Sequence, residues 1–211
     1  MNMKTMQKLS YGLFVLSANT NGKDNGCIIN TVSQVTSQPN RITFAVSKSN
    51  YTHDMLIQNG VFSVSVISES ADFSLFKRFG FSSGRETDKF SGFSGVKRTA
   101  NGTLAVTTGT CAYISGKIFQ SIDLGTHTLF IADVTEADIL SDIPAATYAY
   151  YHKNIKPAPE KIGTTPQGQT IWRCTICGYE YTGEELPEDF ICPLCNHPAS
   201  DFEKIINGTA G

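Results

Sequence analysis

Short apolar segments separated by polar turns run along the first 150 residues or so. In the segment that holds Tyr11, Leu13 and Val15, apolar side chains alternate with small or polar ones, a period typical of a half-buried β-strand. Asn-Gly pairs at 21–22 and 101–102 are typical of turns between neighbouring strands. The pattern predicts strands at 10–18, 26–36, 41–47, 61–67, 102–108, 112–119 and 126–136.

Two predicted helices interrupt these strands, at 52–58 and 69–79. In the second, Phe73, Leu75 and Phe76 give an apolar face. Many short strands with few helices predict a mainly β fold, a closed antiparallel barrel with helices packed outside it.

The character of the chain changes at residues 153–170, which hold three prolines and two glycines without apolar periodicity. Such a composition is typical of an extended, partly stiff linker. We therefore predict a large domain at 1–152, a linker at 153–170 and a small domain at 171–206. The small domain is too short to fold on a hydrophobic core alone.

Two Cys-x-x-Cys pairs lie in this small domain, Cys174-Thr-Ile-Cys177 and Cys192-Pro-Leu-Cys195, with fourteen residues between them. Four thiolates spaced in this way can surround one metal ion tetrahedrally. Sulfur ligands favour zinc or iron and exclude calcium, magnesium and manganese. The sequence predicts a metal centre and leaves the choice between zinc and iron open.

Charge and cysteine usage narrow the class of protein. The formal net charge is -2, which disfavours nucleic-acid binding, and residues 169–205 hold two basic against seven acidic side chains. The other two cysteines, Cys27 and Cys111, lie far apart in sequence, which favours a reducing, cytoplasmic location. No segment approaches the roughly 18 apolar residues of a membrane span, and residues 9–18 fit a first strand better than a signal peptide.

Two polar segments of the large domain are candidates for a cofactor site. Residues 30–36 form a strand with several hydroxyl side chains where apolar alternation would be expected. Residues 47–54 form a hydroxyl-rich turn that holds Lys48 and runs directly into a helix. A helix N-terminus with a nearby lysine is suited to bind a phosphate group, although Thr52 also fits a simple helix N-cap.

The small domain resembles a rubredoxin, of the compact type appended to rubrerythrins. The resemblance rests on the segment from Ile171 to Tyr181, on Cys-Pro-Leu-Cys, and on Asp201-Phe202-Glu-Lys. It implies one iron ion held by Cys174, Cys177, Cys192 and Cys195 within a shell of aromatic side chains. The alternative is a zinc ribbon, whose cysteine spacing overlaps this one, and zinc can replace iron during expression.

The large domain resembles the flavin reductase-like family of FMN-binding split barrels, through 31–38, 47–52, 79–90 and 125–130. The resemblance implies a homodimer that binds FMN and takes electrons from NAD(P)H. It also implies that His127 faces the flavin and the nicotinamide. At the preceding position the family commonly has an Asp, and this chain has Thr126. The alternative is that His127 is a core histidine with a hydrogen bond to the backbone. The implied FMN contacts are Thr31, Val32, Ser33, Gln34, Ser47, Lys48, Asn50, Thr52, Ser83, Arg85 and Lys89.

The whole arrangement resembles the high-molecular-weight rubredoxins, in which the two domains are fused. The resemblance implies transfer of electrons from NAD(P)H through FMN and iron to a protein acceptor of flavodiiron type. Two alternatives stay open: a free-flavin or ferric reductase, and an interaction module that holds zinc without redox chemistry.

Overall fold

The computed structural model describes residue 5 and residues 8–157, 170–175, 179–192 and 198–205. The chain divides into two compact units, Met1–Lys156 and Pro157–Gly211. The linker predicted at 153–170 lies mostly outside the described residues, and residues 153–155 complete a helical segment of the first unit. Among the described residues, no helix is both long enough and apolar enough to cross a membrane.

The first unit is built mainly from strands. They are β1 Phe14–Thr20, β2 Lys23–Ile29, β3 Ser33–Ser37, β4 Asn40–Ser47, β5 Val61–Ile67, β6 Val96–Arg98, β7 Leu104–Val106, β8 Thr110–Asp123 and β9 His127–Ile139. In the described part of the chain seven of them form one sheet in the order β2-β1-β5-β8-β9-β4-β3, and each neighbouring pair is antiparallel. β6 and β7 pair only with each other.

The helices begin and end at recognisable capping residues. Helix α1, Tyr51–Asn59, begins where the Asn50 side chain accepts a hydrogen bond from the Thr52 N–H, at 3.1 Å. It ends at Gly60, whose φ of 69° is the left-handed conformation that glycine adopts without strain. Helix α2, Phe73–Gly80, is capped by Asp72. Helix α3, Tyr148–Tyr150, runs into a wider turn at Tyr151–Ile155.

Both faces of the sheet bury apolar side chains. Leu16 of β1 packs inside the curved sheet with Phe44, Phe62 and Phe130, and the ring of Phe44 lies 5.0 Å from that of Phe62. Val15, the neighbour of Leu16, points the other way, because successive strand residues face opposite sides of a sheet. The outer cluster contains Val15, Leu75, Phe76, Phe79 and Tyr151, so that α2 and the helical segment after α3 cover this face.

The sheet curls into a barrel that is not closed by a strand ladder between its edges. In the described residues the edge strands β2 and β3 are not paired with each other. Instead Thr31, between these strands, donates its hydroxyl to the Ala45 carbonyl at 3.1 Å and accepts the Ala45 N–H at 3.0 Å. The mainly β split-barrel prediction is confirmed, whereas full closure was not found in this part of the chain.

Several predicted elements differ from those in the structure. The strand predicted at 26–36 is two strands, β2 and β3, because Asn30, Thr31 and Val32 between them belong to neither strand. The helix predicted from residue 69 begins at Phe73, because the carboxylate of Asp72 caps it there. The helical residues 148–155 were not predicted at all.

The second unit is a small sheet in its described residues. The strands are β10 Ile171–Cys174, β11 Glu180–Thr182 and β12 Phe202–Ile205, in the order β11-β10-β12 and all antiparallel. A short 3-10 turn at Ala199–Asp201 precedes β12. This sheet falls within the small domain predicted at 171–206.

Candidate active site and candidate metal centre

The turn between β4 and α1 brings several of the predicted phosphate-binding residues together. Ser47 ends β4, and its hydroxyl lies 2.9 Å from that of Ser49. Asn50, rather than Thr52, is the N-cap of α1. Thr52 is fully buried, and its hydroxyl accepts a hydrogen bond from the Asn25 side chain at 2.9 Å. The turn itself is therefore accessible, and Thr52 anchors the helix beneath it.

Lys48 reaches across this turn to a carboxylate that we did not predict. Its Nζ lies 2.7 and 2.8 Å from the two carboxylate oxygens of Asp123, at the end of β8. The hydrogen bond from Lys48 and another from the Gly125 N–H hold the pKa of Asp123 below its usual value. Asp123 is exposed, so a phosphate can compete for Lys48 in water.

The predicted loop over the cofactor lies against the first turn of α1. The guanidinium of Arg85 lies 2.6 Å from Oδ2 of Asp54 and 5.1 Å from the centre of the Tyr51 ring. Ser83 accepts the Arg85 N–H within the loop. Gly84 lies so close to Asn25 that a Cβ at this position would come within 2.1 Å of the Asn25 side-chain oxygen. The structure thus brings Arg85 and Ser83 to the helix that Asn50 caps.

Burial of the Asp54 carboxylate raises its pKa, but hydrogen bonds from Arg85 and His53 outweigh this effect. The net result is a pKa below the usual value, so Asp54 is ionised at neutral pH. Asp54 is thus an anionic partner for the predicted loop.

Lys89 has different partners from those that we predicted. It is 4% exposed, and its ammonium group donates to the carbonyl oxygens of Gly26 and Phe79 at 3.0 and 3.1 Å. Burial lowers the pKa of Lys89 and raises that of the nearby Cys27 thiol. In this arrangement Lys89 fastens its loop to β2 and α2, and its ammonium group is not on the surface.

Residues 32–34 of the predicted ring-binding segment border a cavity of about 330 Å³, whereas Thr31 bonds to Ala45. Val32, Ser33 and Gln34 line one side of it, and Gln34 donates to the Asn40 side chain at 3.0 Å. The remaining lining is mostly apolar: Phe14, Asn40, Ile42, Ile114, Val134 and Ala137. An apolar cavity edged by a few amides and hydroxyls is typical of a site for a planar ring, and this volume is at the small end of ligand pockets.

His127 is exposed at the first position of β9, where it pairs with Ser47 of β4. Its Nδ1 lies 3.0 Å from the hydroxyl of Thr126, the residue that stands where the family has an acid. The backbone N–H of Lys48 donates to the Thr126 carbonyl at 3.0 Å. His127 therefore lies beside the predicted phosphate turn, and exposure at this position does not fit the alternative of a core histidine.

Two residues of this region, Asp123 and His53, were missed as site residues. His53 is buried under the first turn of α1, and its Nε2 lies 2.8 Å from the hydroxyl of Thr128. A buried histidine that contacts a strand 75 residues away has no signature in a single sequence. The only available signal was the position of His53 directly after the polar turn.

Two of the four predicted metal ligands are described. Cys174 ends β10 and Cys192 follows the exposed Ile191; both are buried, at 1% and 0% exposure. Cys177 and Cys195 lie outside the described residues. The Cys174 N–H donates to the Tyr179 carbonyl at 2.8 Å, which holds Tyr179 beside the end of β10.

Aromatic side chains pack together in this unit. The ring of Phe190 lies 4.8 Å from that of Tyr181 and 5.4 Å from that of Phe202, centre to centre. Trp172 donates its indole N–H to the Gly183 carbonyl at 3.2 Å. Such a cluster, in a unit with little other apolar material, agrees with an enclosed sulfur site.

Comparison with known proteins assigns both units. Residues 6–159 match the family described as flavin reductase like domain. The chain belongs to the flavin reductase-like family. Residues 172–203 match a second description, rubrerythrin, rubredoxin-like domain. Both resemblances inferred from the sequence are therefore confirmed at the level of domains.

Relatives of this flavin reductase-like chain cover different shares of it. The high molecular weight rubredoxin of Moorella thermoacetica is 34% identical over 97% of this chain and 100% of its own length. The ferric-chelate reductase (NAD(P)H) of Archaeoglobus fulgidus is 36% identical over 82% of this chain and 98% of its own length. The NADH:FAD oxidoreductase of Streptomyces globisporus has the same fold, with a TM-score of 0.61, 19% identity, and coverage of 68% and 84%.

Proposed function

We propose that this protein takes a hydride from NAD(P)H onto FMN and passes the electrons singly through a four-cysteine iron site to an electron-accepting protein of flavodiiron type. The observation that carries this proposal is the presence of a flavin reductase-like domain and a rubredoxin-like domain on one chain. A similar chain, matched over its full length in Moorella thermoacetica, is named a high molecular weight rubredoxin. FMN, when bound, accepts two electrons at once and releases them one at a time.

The chemistry of the residues around the turn after β4 fits a flavin phosphate. The turn offers the hydroxyls of Ser47 and Ser49, the ammonium of Lys48 and the N-terminal end of α1. Arg85 adds a second cation at the first turn of the helix. We propose that these groups hold the phosphate and that Val32, Ser33 and Gln34 border the ring, with the cavity beside them as its apolar support.

His127 is proposed to face the nicotinamide. Support comes from its exposure beside Ser47 and from the hydrogen bond that orients its Nδ1 toward Thr126. Cys174, Cys177, Cys192 and Cys195 are proposed to hold one iron ion, because thiolate ligands select iron or zinc and the match to a rubredoxin-like domain favours iron. The aromatic cluster of Tyr181, Phe190 and Phe202 would limit water around it. Such a closed site transfers electrons without binding substrate.

An absorption spectrum tests the whole proposal. Protein purified from iron-replete cells should carry about one flavin per chain as well as the absorption of ferric iron bound by sulfur. Addition of NADH or NADPH without oxygen should bleach both pigments, and comparison of the two rates identifies the preferred nicotinamide. A chain that carries neither pigment, or whose iron stays oxidised beside fully reduced flavin, would contradict the proposal.

Replacement of Lys48 by alanine should weaken FMN binding about tenfold, because a charge-assisted hydrogen bond to phosphate is lost from a partly exposed site. Titration of the apoprotein with FMN, followed by flavin fluorescence, measures the dissociation constant. Lys117→Ala removes an exposed lysine from β8 outside the candidate site and should bind FMN as the native protein does. Equal affinity of Lys48→Ala and the native protein would remove Lys48 from the site.

Reduction of ferric chelates is a second candidate function. It is favoured by the identity of 36% to the ferric-chelate reductase (NAD(P)H) of Archaeoglobus fulgidus. Under this alternative a ferric chelate would be reduced at the same rate by the native protein and by a variant that lacks the metal centre. A colourless, zinc-loaded protein would favour an interaction module instead.

A homodimer in a reducing, cytoplasmic compartment is part of the proposal. Support for the homodimer comes from large apolar side chains that are exposed on or beside β3, β8 and β9. They are Val35, Phe119, Ile122, Leu124 and Ile139, and Ile139 is 75% exposed. Light scattering in solution measures the mass of the assembly.

A further inference from the structure

His53 lies in the first turn of α1, and its ring joins this helix to strand β9. It is 9% exposed. Its Nε2 lies 2.8 Å from Oγ1 of Thr128, and its Nδ1 lies 3.3 Å from Oδ1 of Asp54. The ring also packs against Phe130 of β9, with 5.9 Å between the ring centres. His53 is thus held by polar contacts on both ring nitrogens and by an aromatic contact on its side.

The chemistry of these partners determines which nitrogen carries the proton. An ionised carboxylate can only accept hydrogen bonds, and the pKa of Asp54 is held low. In a neutral imidazole the proton therefore belongs on Nδ1, and Nε2 accepts the hydroxyl hydrogen of Thr128. The other oxygen of Asp54 accepts from Arg85 at 2.6 Å. A continuous chain of hydrogen bonds runs from the loop at Arg85 through α1 to β9.

This chain connects the elements on which the proposed function depends. Thr128 directly follows His127, the residue proposed to face the nicotinamide. Asp54 and His53 follow the turn proposed to hold the flavin phosphate. The β4–β9 ladder fixes β4 to β9 at Ser47 and His127, but it does not fix the orientation of α1 beyond the turn. Asn25 of β2 holds α1 through the hydroxyl of Thr52, and the contact of His53 with Thr128 adds a second polar constraint, from β9.

We propose that His53 is a positioning residue, which holds the first turn of α1 against the start of β9 and so sets how the N-terminal end of the helix and Arg85 face the turn proposed to bind the phosphate. This inference rests on the proposed flavin site. An apolar side chain would fill the same space without desolvating polar groups, so packing alone gives no reason for a histidine here. The contact of His53 with Asp54 also restricts Arg85 and its loop, because Asp54 accepts a hydrogen bond from Arg85.

Two amide substitutions separate the contacts of the two ring nitrogens. In His53→Gln the amide reaches the position of Nε2 and retains a partner for Thr128. In His53→Asn the shorter amide reaches the position of Nδ1, where it meets Asp54 instead. We expect His53→Gln to bind FMN within about threefold of the native protein and His53→Asn to bind it about tenfold more weakly, the loss of one buried hydrogen bond.

Thr128→Val tests the contact between His53 and Thr128 by changing the residue on β9. It keeps the shape of the side chain and removes the hydroxyl, so FMN affinity should fall about tenfold. In the Thr128→Val background the FMN affinities of His53→Gln and His53→Asn should lie much closer together, because the partner that only the glutamine amide reaches is absent. The matched control is Thr135→Val, farther along β9, whose hydroxyl bonds to the Ser115 carbonyl outside the candidate site. This control should retain native affinity.

The tautomer of His53 gives a second readout, which does not require flavin. Nitrogen-15 NMR of the apoprotein should show His53 with its proton on Nδ1, and the Nε2 signal should shift in Thr128→Val. A proton on Nε2 would overturn the proposed chain of hydrogen bonds. Equal FMN affinity in all folded variants would overturn the positioning role. Absence of FMN binding by the native protein would instead refute the proposed function, and the NMR result would still decide the contact.

Discussion

Replacement of Cys192 by serine is expected to abolish electron transfer to an external acceptor while NAD(P)H still reduces the flavin at the native rate. Cys192 is completely buried, and a neutral serine hydroxyl is a poor substitute for a thiolate ligand of iron. A unit of this size is expected to depend on a bound metal for folding, so loss of one ligand should remove the whole site. Reduction of cytochrome c should fall on the order of 100-fold or more. Stopped-flow absorbance measures flavin and cytochrome reduction in one experiment.

The matched control for this variant is Cys111→Ser. Cys111 is also buried, but it lies in β8 with its Sγ 3.7 Å from the Val66 carbonyl, apart from both candidate sites. The Cys111→Ser variant, if it is folded, should reduce cytochrome c at the native rate. If Cys192→Ser reduces cytochrome c as quickly as the native protein, electrons reach the acceptor directly from the flavin, and the metal centre is not part of the pathway.

Much of the fold could be predicted because the signals for its strands are local. The strand predicted at 61–67 has the bounds of β5, since Val61–Ile67 is a continuous run with strong β-propensity that ends at polar residues. The cysteine pairs were recognisable for the same reason: metal ligands of this class come in fixed short spacings. The interruption at 30–32 was missed because Thr31 bonds to Ala45, a contact that no local pattern encodes.

The candidate site could be predicted only in part, because its charges are paired by tertiary contacts. The sequence indicated Lys48 as a cation near a helix N-terminus, and the family resemblance implied Arg85 in a loop over the cofactor, but neither indicated their partners. Asp123 lies 75 positions from Lys48, and Asp54 lies 31 positions from Arg85. Because these carboxylate partners were unknown, the sequence could not indicate that they compete with a phosphate for Lys48 and Arg85. The same holds for His53, whose contact with Thr128 depends on the packing of α1 against β9.

Lys89 shows the limit of reasoning from a family resemblance. The resemblance implied that Lys89 contacts the cofactor, and a lysine in a polar loop is usually exposed. In the structure this lysine is buried, and its ammonium group donates hydrogen bonds to the carbonyl oxygens of Gly26 and Phe79. The cost of desolvating the lysine is visible in its lowered pKa.

Lys89→Met is expected to lower the free energy of unfolding of the first unit by about 2–4 kcal/mol. Methionine fills the space of the lysine stem, but it has no donor, so two carbonyl oxygens lose their hydrogen bonds, at about 1–3 kcal/mol each. Urea unfolding followed by circular dichroism measures this loss. Fluorescence is unsuitable, because the one tryptophan, Trp172, lies in the second unit.

The effect of Lys89 on stability should also depend on pH. Burial lowers its pKa in the folded protein below 10.5, the ordinary value that applies in the unfolded chain. Between these two values the unfolded chain binds more protons than the folded one, so stability rises with pH. The difference in stability between the native protein and Lys89→Met should therefore widen as the pH rises from neutrality toward 10.5. Lys153→Met, at an exposed lysine, should show neither effect. A Lys89→Met variant as stable as the native protein at neutral and at alkaline pH would mean that the loop is held by its other contacts, such as those of Arg78 with the carbonyl oxygens of Lys89 and Ser91.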